Sequence, residues 1–268
     1  MRGLILILCC LLIAVALGQQ AAEEHPGAEI EERLGVEIPT GVIVRDETGQ
    51  TLALDRLAGK PMVLSLIYFN CTGTCTPLIS RIVDGLNAGA LPAEDLHLVT
   101  LSINQLDTPE MAAGKKGNYL SLLKIAHDSL VWNWLTGDAE DIRRLTNPIG
   151  FRFFATGNNT FAHPAGLFFF NPRGKLVRVL HGLNFSDRDL RLAAAECFPY
   201  TERSISDLLT LSYMTYDPDA RGYVFDWRLP GYILLPLAVG LLILLLWLWY
   251  SRRLVERRIR IVRYDEPV

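Results

Sequence analysis

The sequence lacks any strong excess of charge. Lys and Arg number 26 against 29 Asp and Glu, a net of −3, and only 21% of its 268 residues are charged. Nothing in that balance marks a nucleic-acid binder. Internal repeats and low-complexity segments are missing, which sets aside solenoid arrays and biased disordered tracts. Cysteine is scarce, with five in all at positions 9, 10, 71, 75 and 197, and no two of them form a Cys-x-x-Cys pair. That absence argues against a general thiol–disulfide oxidoreductase.

The charge that is present is unevenly placed. The last 18 residues hold six Arg against Glu256, Asp265 and Glu266, a net of +3. Arg2 is followed by an uncharged, mostly aliphatic stretch of 14 residues, Leu4 to Leu17, which ends among the small and polar residues Ala16-Leu17-Gly18-Gln19. A positive start, a short apolar core and small residues before a cut after Gly18 make a signal peptide. The alternative is an uncleaved anchor, but the run is short of the roughly 20 residues that cross hydrocarbon. Cys9 and Cys10 leave with the peptide. Leu229 to Ser251 carries no charge at all. It has no polar face, so a buried globular helix explains it less well than a transmembrane helix does. Tyr232 at one edge and Trp247, Trp249 and Tyr250 at the other suit the two interfaces. Arg252, Arg253, Arg257 and Arg258 follow at once, which predicts a cytoplasmic tail and an extracytoplasmic (periplasmic-side) body.

The expected organisation is a signal peptide over 1–18, a flexible acidic leader over 19–35, a folded domain over 36–198, a membrane-proximal stalk over 199–228, the transmembrane helix over 229–251 and a basic tail over 252–268. Within the domain, Val42–Arg45 and Thr51–Leu54 flank a Gly-containing loop and predict a hairpin. Met62–Phe69 and Leu96–Ile103 are continuous apolar runs suited to strands buried on both faces. Leu78, Ile79, Ile82, Val83 and Leu86 recur at helical spacing, and a second helix pattern lies near 109–126. Trp132 and Trp134 alternate along a strand and are read as core. Leu167–Phe170 and Leu176–Leu180 flank Asn171-Pro172-Arg173-Gly174, a second hairpin, and Ser186 with Asp189 forms a capping box before a final helix. This order predicts an α/β, thioredoxin-like fold with an N-terminal β-hairpin extension and one C-terminal transmembrane helix. Right-handed crossovers make the two buried strands parallel neighbours, with the cysteines at the carboxyl edge of the sheet.

Cys71-Thr72-Gly73-Thr74-Cys75 carries the chemistry. Two such cysteines outside the cytoplasm make a disulfide, a redox couple or a metal site. If Cys75 enters the helix, the positive dipole end lowers its pKa, and a thiolate is both a nucleophile and a soft ligand. An inert disulfide is the blander reading, although so short a loop removes little unfolded-state entropy. His163 lies just before a buried strand and reads either as a satisfied loop histidine or as a ligand. Beside two thiolates it completes an N/S set that copper and zinc accept. His25, His97, His127 and His181 are read as surface or packing residues, and Cys197 as a small apolar residue of a helix core. Asp107 is read equally as a group behind the site or as a cap for the helix that follows.

Several of these stretches together resemble the Sco/SenC family of copper-binding cytochrome c oxidase assembly factors. They are Tyr68-Phe69-Asn70 before the Cys-x-x-x-Cys loop, Asp107-Thr108-Pro109-Glu110, and His163 eleven residues before Gly174 of a Pro-x-Gly turn. The resemblance covers roughly residues 36–198 and continues through His181–Ser186 and Tyr216-Asp217-Pro218. It implies a thioredoxin fold with copper held by Cys71, Cys75 and His163. The chain departs from the family pattern at Thr72, at Ile103-Asn104-Gln105 and at Ala162, where the family usually has Pro, Val-Asp-Pro and Asp.

The resemblance implies a metallochaperone that delivers copper to the copper-bearing subunit of cytochrome c oxidase while tethered to the lipid bilayer. The alternative is an extracytoplasmic thiol–disulfide reductase, with Cys71 and Cys75 as its redox-active pair, that keeps target cysteines reduced for metallation. A sensor or structural protein that kept only the fold is the third class. No nucleic-acid partner is expected.

Overall fold

A computed structural model of the chain describes residues 27–264 apart from Thr72, His127, Asp128 and Asn158. The signal peptide with Arg2, Cys9 and Cys10, residues 19–26 of the leader, His25 and the last four residues lie outside the described residues. The chain divides into two compact units, with the boundary between Arg203 and Ser204.

In the first unit the strands are β1 (Ile43–Arg45), β2 (Thr51–Ala53), β3 (Met62–Ile67), β4 (His97–Ser102), β5 (Val131–Gly137), β6 (Phe154–Gly157), β7 (Thr160–Ala162), β8 (Gly166–Phe170) and β9 (Leu176–His181). The helices are α1 (Cys75–Asn87), α2 (Pro109–Leu120), α3 (Ala139–Thr146) and α4 (Asp187–Cys197). Seven strands make one mixed sheet in the order β2–β1–β5–β4–β3–β8–β9, and β6–β7 is a separate small hairpin. β3, β4 and β5 run parallel, and β8 is antiparallel to β3. This is the thioredoxin-like arrangement, widened by the β1–β2 hairpin, which pairs antiparallel with β5.

The apolar runs become central strands because both of their faces are covered. All of β3 is buried, and so is β4 after His97. Ser65 and Trp132 carry polar atoms into this layer and pair them: Ser65 Oγ lies 2.9 Å from Thr100 Oγ1, which also accepts from Trp132 Nε1 at 3.0 Å. On α1, Leu78, Ile79, Ile82, Val83 and Leu86 make the buried stripe their spacing predicts. A methyl on Gly85 of that helix would lie 2.6 Å from Leu190 Cδ1, so glycine there permits the close approach of α4. The capping box forms at Ser186 and Asp189, and Cys197 is buried with its Sγ on Ala193 O.

One expectation is corrected, one open choice is decided, and the leader gains contacts over its described part. The second helix ends at Leu120 rather than near 126, because Asn87 captures the next segment through Leu122 O and Lys124 N. Asp107 is not the cap of α2; Thr108 is, accepting from Met111 N with Pro109 in the first turn. The leader reading rests on charge alone. Over its described part, Glu29 and Glu31 pair with Arg152, and the backbone bridges Ile30 to Phe151. Glu31 N donates to Gly150 O, and Gly150 sits at φ +78° with no room for a Cβ against Glu31 O.

The second unit contains α5 (Ile205–Tyr213), the hairpin β10 (Met214–Asp217) and β11 (Gly222–Phe225), and α6 (Arg228–Tyr264). Ser204 caps α5 through Asp207 N, and Asp217-Pro218 and Arg221-Gly222 flank the turn between the hairpin strands. Within α6, Pro230–Arg253 is 24 residues long and apolar enough to cross a membrane. At 1.5 Å per residue it reaches about 36 Å, against about 30 Å of hydrocarbon. The helix continues without a break into the arginine-rich segment.

Candidate metal centre

The site forms where β3 runs out. After Ile67 the buried Tyr68 and Phe69 lead into a turn, closed by Cys71 N donating to Tyr68 O, and Cys75 begins α1. Asp107 fixes this turn from below. Its buried carboxylate accepts from Phe69 N at 2.7 Å, Ser102 Oγ at 2.6 Å and Asn104 Nδ2 at 2.8 Å. The ends of β3 and β4 are thereby tied to one anionic group that three donors satisfy.

His163 arrives from the other side, just after the β6–β7 hairpin and before β8. The spacing along the chain is 88 residues, yet its Nε2 lies 3.2 Å from Cys75 Sγ. The donor atoms of Cys71, Cys75 and His163 all lie within 4.8 Å of one another. They are the group among the described residues that can hold a metal ion. Ligands bonded to one ion at about 2.0–2.3 Å are at most about 4.6 Å apart, so a small closure brings all three into reach.

The imidazole is oriented for this. Its Nδ1 is 3.0 Å from Pro164 O, an acceptor, so Nδ1 carries a proton and Nε2 is the atom turned to the sulfurs. Tyr68 packs edge-on to the ring with centroids 5.7 Å apart, and Phe151 lies on another side at 6.2 Å. Tyr68 was not singled out as a site residue from the sequence. Its hydroxyl bonds the Cys71 sulfur, while burial and then the Cys71 charge push its pKa up to about 12, so it remains a neutral donor. The signal was available in Tyr68-Phe69-Asn70, but the run reads first as the end of a buried strand.

The two cysteines differ sharply. Cys71 is half-buried and its pKa is lowered to about 3, chiefly because the Cys75 thiol donates to it. Burial opposes this, and His163 and the backbone N–H groups of Cys75 and Gly73 add to the lowering. Gly73 N lies 3.4 Å from Cys71 Sγ. Cys75 is 4% exposed, and burial, followed by its bond to Cys71, pushes its pKa well above the usual thiol range. The sequence expectation that Cys75 is the activated thiol is therefore reversed. The amides at the start of α1 serve the sulfur that hangs over them, and Cys75 has turned inward.

The donor set suits a soft or borderline ion: two sulfurs and one imidazole oriented through its Nδ1. His97 bonds Leu57 O at 3.0 Å and His181 belongs to β9, so neither joins the cluster. His127 lies outside the described residues.

Residues 43–194, more than half of the chain, match the family model described as SCO1/SenC. No curated protein matches the chain. Among solved structures, a candidate electron transfer protein from Aquifex aeolicus VF5 is similar at 25% identity and a TM-score of 0.55, covering 62% of this chain and 94% of its own. A SCO1/SenC family lipoprotein from Bacillus anthracis str. Ames shares the fold at 21% identity and a TM-score of 0.50, covering 62% of this chain and 99% of its own.

Proposed function

The chain belongs to the SCO1/SenC family, and on that premise we propose that it is a copper metallochaperone which loads the copper-bearing subunit of cytochrome c oxidase. The convergence of Cys71, Cys75 and His163 carries this reading. Copper is the cargo. Cys71 offers a ready thiolate, Cys75 gives up its proton as it bonds the ion, and His163 adds Nε2 while Nδ1 keeps its proton on Pro164 O. Burial keeps Cys75 protonated without the ion, so binding there releases a proton. The half-buried Cys71 leaves a face through which a thiolate-bearing target can take over the ligands.

The proposed layout is a signal peptide (1–18), leader (19–35), copper-binding domain (36–198), stalk (199–228), membrane span (229–251) and cytoplasmic tail (252–268). The body then lies outside the cytoplasm. The arginines after Tyr250 support that orientation. A reporter active only outside the cytoplasm, fused before Leu229, should work; activity only when fused after Val268 reverses the topology.

Copper analysis of the full chain, purified reduced with copper, tests the site. Wild type should hold one ion, and Cys71→Ala and Cys75→Ala none. Undiminished copper in either variant sinks the reading.

One observation favours thiol–disulfide reduction as a second reading: the pair is split into an accessible thiolate and a buried thiol. Cys71 attacks a target disulfide, and Cys75, losing its proton, displaces the mixed disulfide. The target leaves as a dithiol, and an external dithiol must reduce the Cys71–Cys75 disulfide again. His163→Ala separates the two. A chaperone loses strong copper binding and oxidase assembly with that variant, part of which added copper restores. A reductase keeps near-normal assembly and fails only with the cysteine variants.

A further inference from the structure

The second unit exposes apolar side chains well beyond its long helix. On α5, Ile205, Leu209 and Tyr213 stand four residues apart on one face, with Ile205 77% and Leu209 61% exposed. Past the hairpin, Phe225 packs on Tyr213 with ring centroids 5.6 Å apart and on Trp227 at 4.5 Å. Trp227 is itself 73% exposed. An aromatic ladder therefore runs from the end of α5 to the start of α6.

That start is fastened to the rest of the unit. Asp226 N donates to Tyr213 O at 2.7 Å, while the Asp226 carboxylate accepts from Arg228 N at 2.9 Å and caps α6. α5 thus cannot drift from the first turn of α6, and the membrane-crossing window opens two residues later, at Pro230. If Pro230 marks the boundary of the hydrocarbon, everything bonded to residues 226–228 lies at headgroup depth. Tyr and Trp favour that depth, and an apolar helix stripe there meets lipid instead of water.

We propose that α5 and the Tyr213–Phe225–Trp227 ladder form an interfacial collar seated in the lipid headgroup layer, with Ile205 and Leu209 dipping toward the acyl chains. This rests on the reading that α6 spans the membrane. The occupant is lipid because the surface is continuous with the span and shares its apolar character. By widening the anchor on one side, the collar fixes the depth and tilt at which α6 enters the bilayer.

The test uses the full chain in phosphatidylcholine nanodiscs, with lipid brominated either near the headgroup end or near the methyl end of its acyl chains. Ile205→Trp is built on a background of Trp227→Phe, Trp247→Phe and Trp249→Phe, and the matched background without it supplies the signal of the buried Trp132 and Trp134. The added tryptophan should lose about half its intensity to the shallow bromines and clearly less to the deep ones, as an interfacial side chain does. Full intensity with both lipids overturns the collar, including the case in which another protein covers α5. A chain that retains Trp247 and Trp249 is measured in parallel. If those two are not quenched, the membrane span fails; if they are and position 205 is not, the collar alone fails.

Discussion

Phe168 and Phe169 in β8 are fully buried, whereas Leu241 and Trp247 in α6, side chains of the same character, are 57% and 63% exposed. The difference follows from the backbone. Strands of the first unit satisfy their amides only by lying beside other strands, so the chain must cover both faces of the sheet with its own side chains. A long helix satisfies its amides internally and needs no cover, provided that the surrounding solvent is lipid. The same composition thus builds a core in one unit and a membrane surface in the other.

The most direct way to break that contrast is to delete equivalent bulk from each side. Phe168→Ala should destabilise the first unit by about 3–5 kcal/mol in thermal or denaturant unfolding of the full chain. A loss below about 1 kcal/mol would mean that the sheet is not sealed as described. Next in size is Asp107→Ala, which strands Phe69 N, Ser102 Oγ and Asn104 Nδ2 together. A cost of about 3 kcal/mol is expected, with weaker copper binding as the turn before Cys71 loosens. If copper affinity stays intact in that variant, Asp107 is structural only. Gly150→Ala pushes a methyl into Glu31 O and should cost about 1–3 kcal/mol, partly relieved when residues 27–35 are removed. Leu241→Ala, on the lipid side of the comparison, should change the stability of the first unit by less than about 0.5 kcal/mol.

The smallest effect is expected within the site, where the contrast between exposed and covered groups recurs between two sulfurs. With its pKa lowered to about 3, Cys71 is a thiolate at every ordinary pH. Its alkylation rate in the full chain should vary less than about twofold between pH 5 and 8, while an ordinary thiol gains about a thousandfold. A steep rise over that interval would remove the preformed thiolate. The sign for stability follows. A group ionising lower in the folded state contributes fully above its unfolded pKa, and that contribution fades as pH falls through the window from about 9 to about 3. Cys75, shifted upward, works in the opposite direction only in alkali.

What the sequence by itself determined was what repeats locally. The continuous apolar runs of β3 and β4, the helical stripe of α1, the capping box at Ser186 and the uncharged run in α6 are patterns whose physical reading needs no distant partner. The family resemblance also named Cys71, Cys75 and His163. Tertiary structure alone decided which sulfur is the thiolate, because that depends on which one lies over the start of α1 and which one the core swallows. It alone made Asp107 an anchor rather than a cap, recruited Tyr68, and pinned Glu31 against Gly150. Each of these is set by groups far apart in the chain, and burial and hydrogen-bond pairing at such distances leave no local periodicity to read.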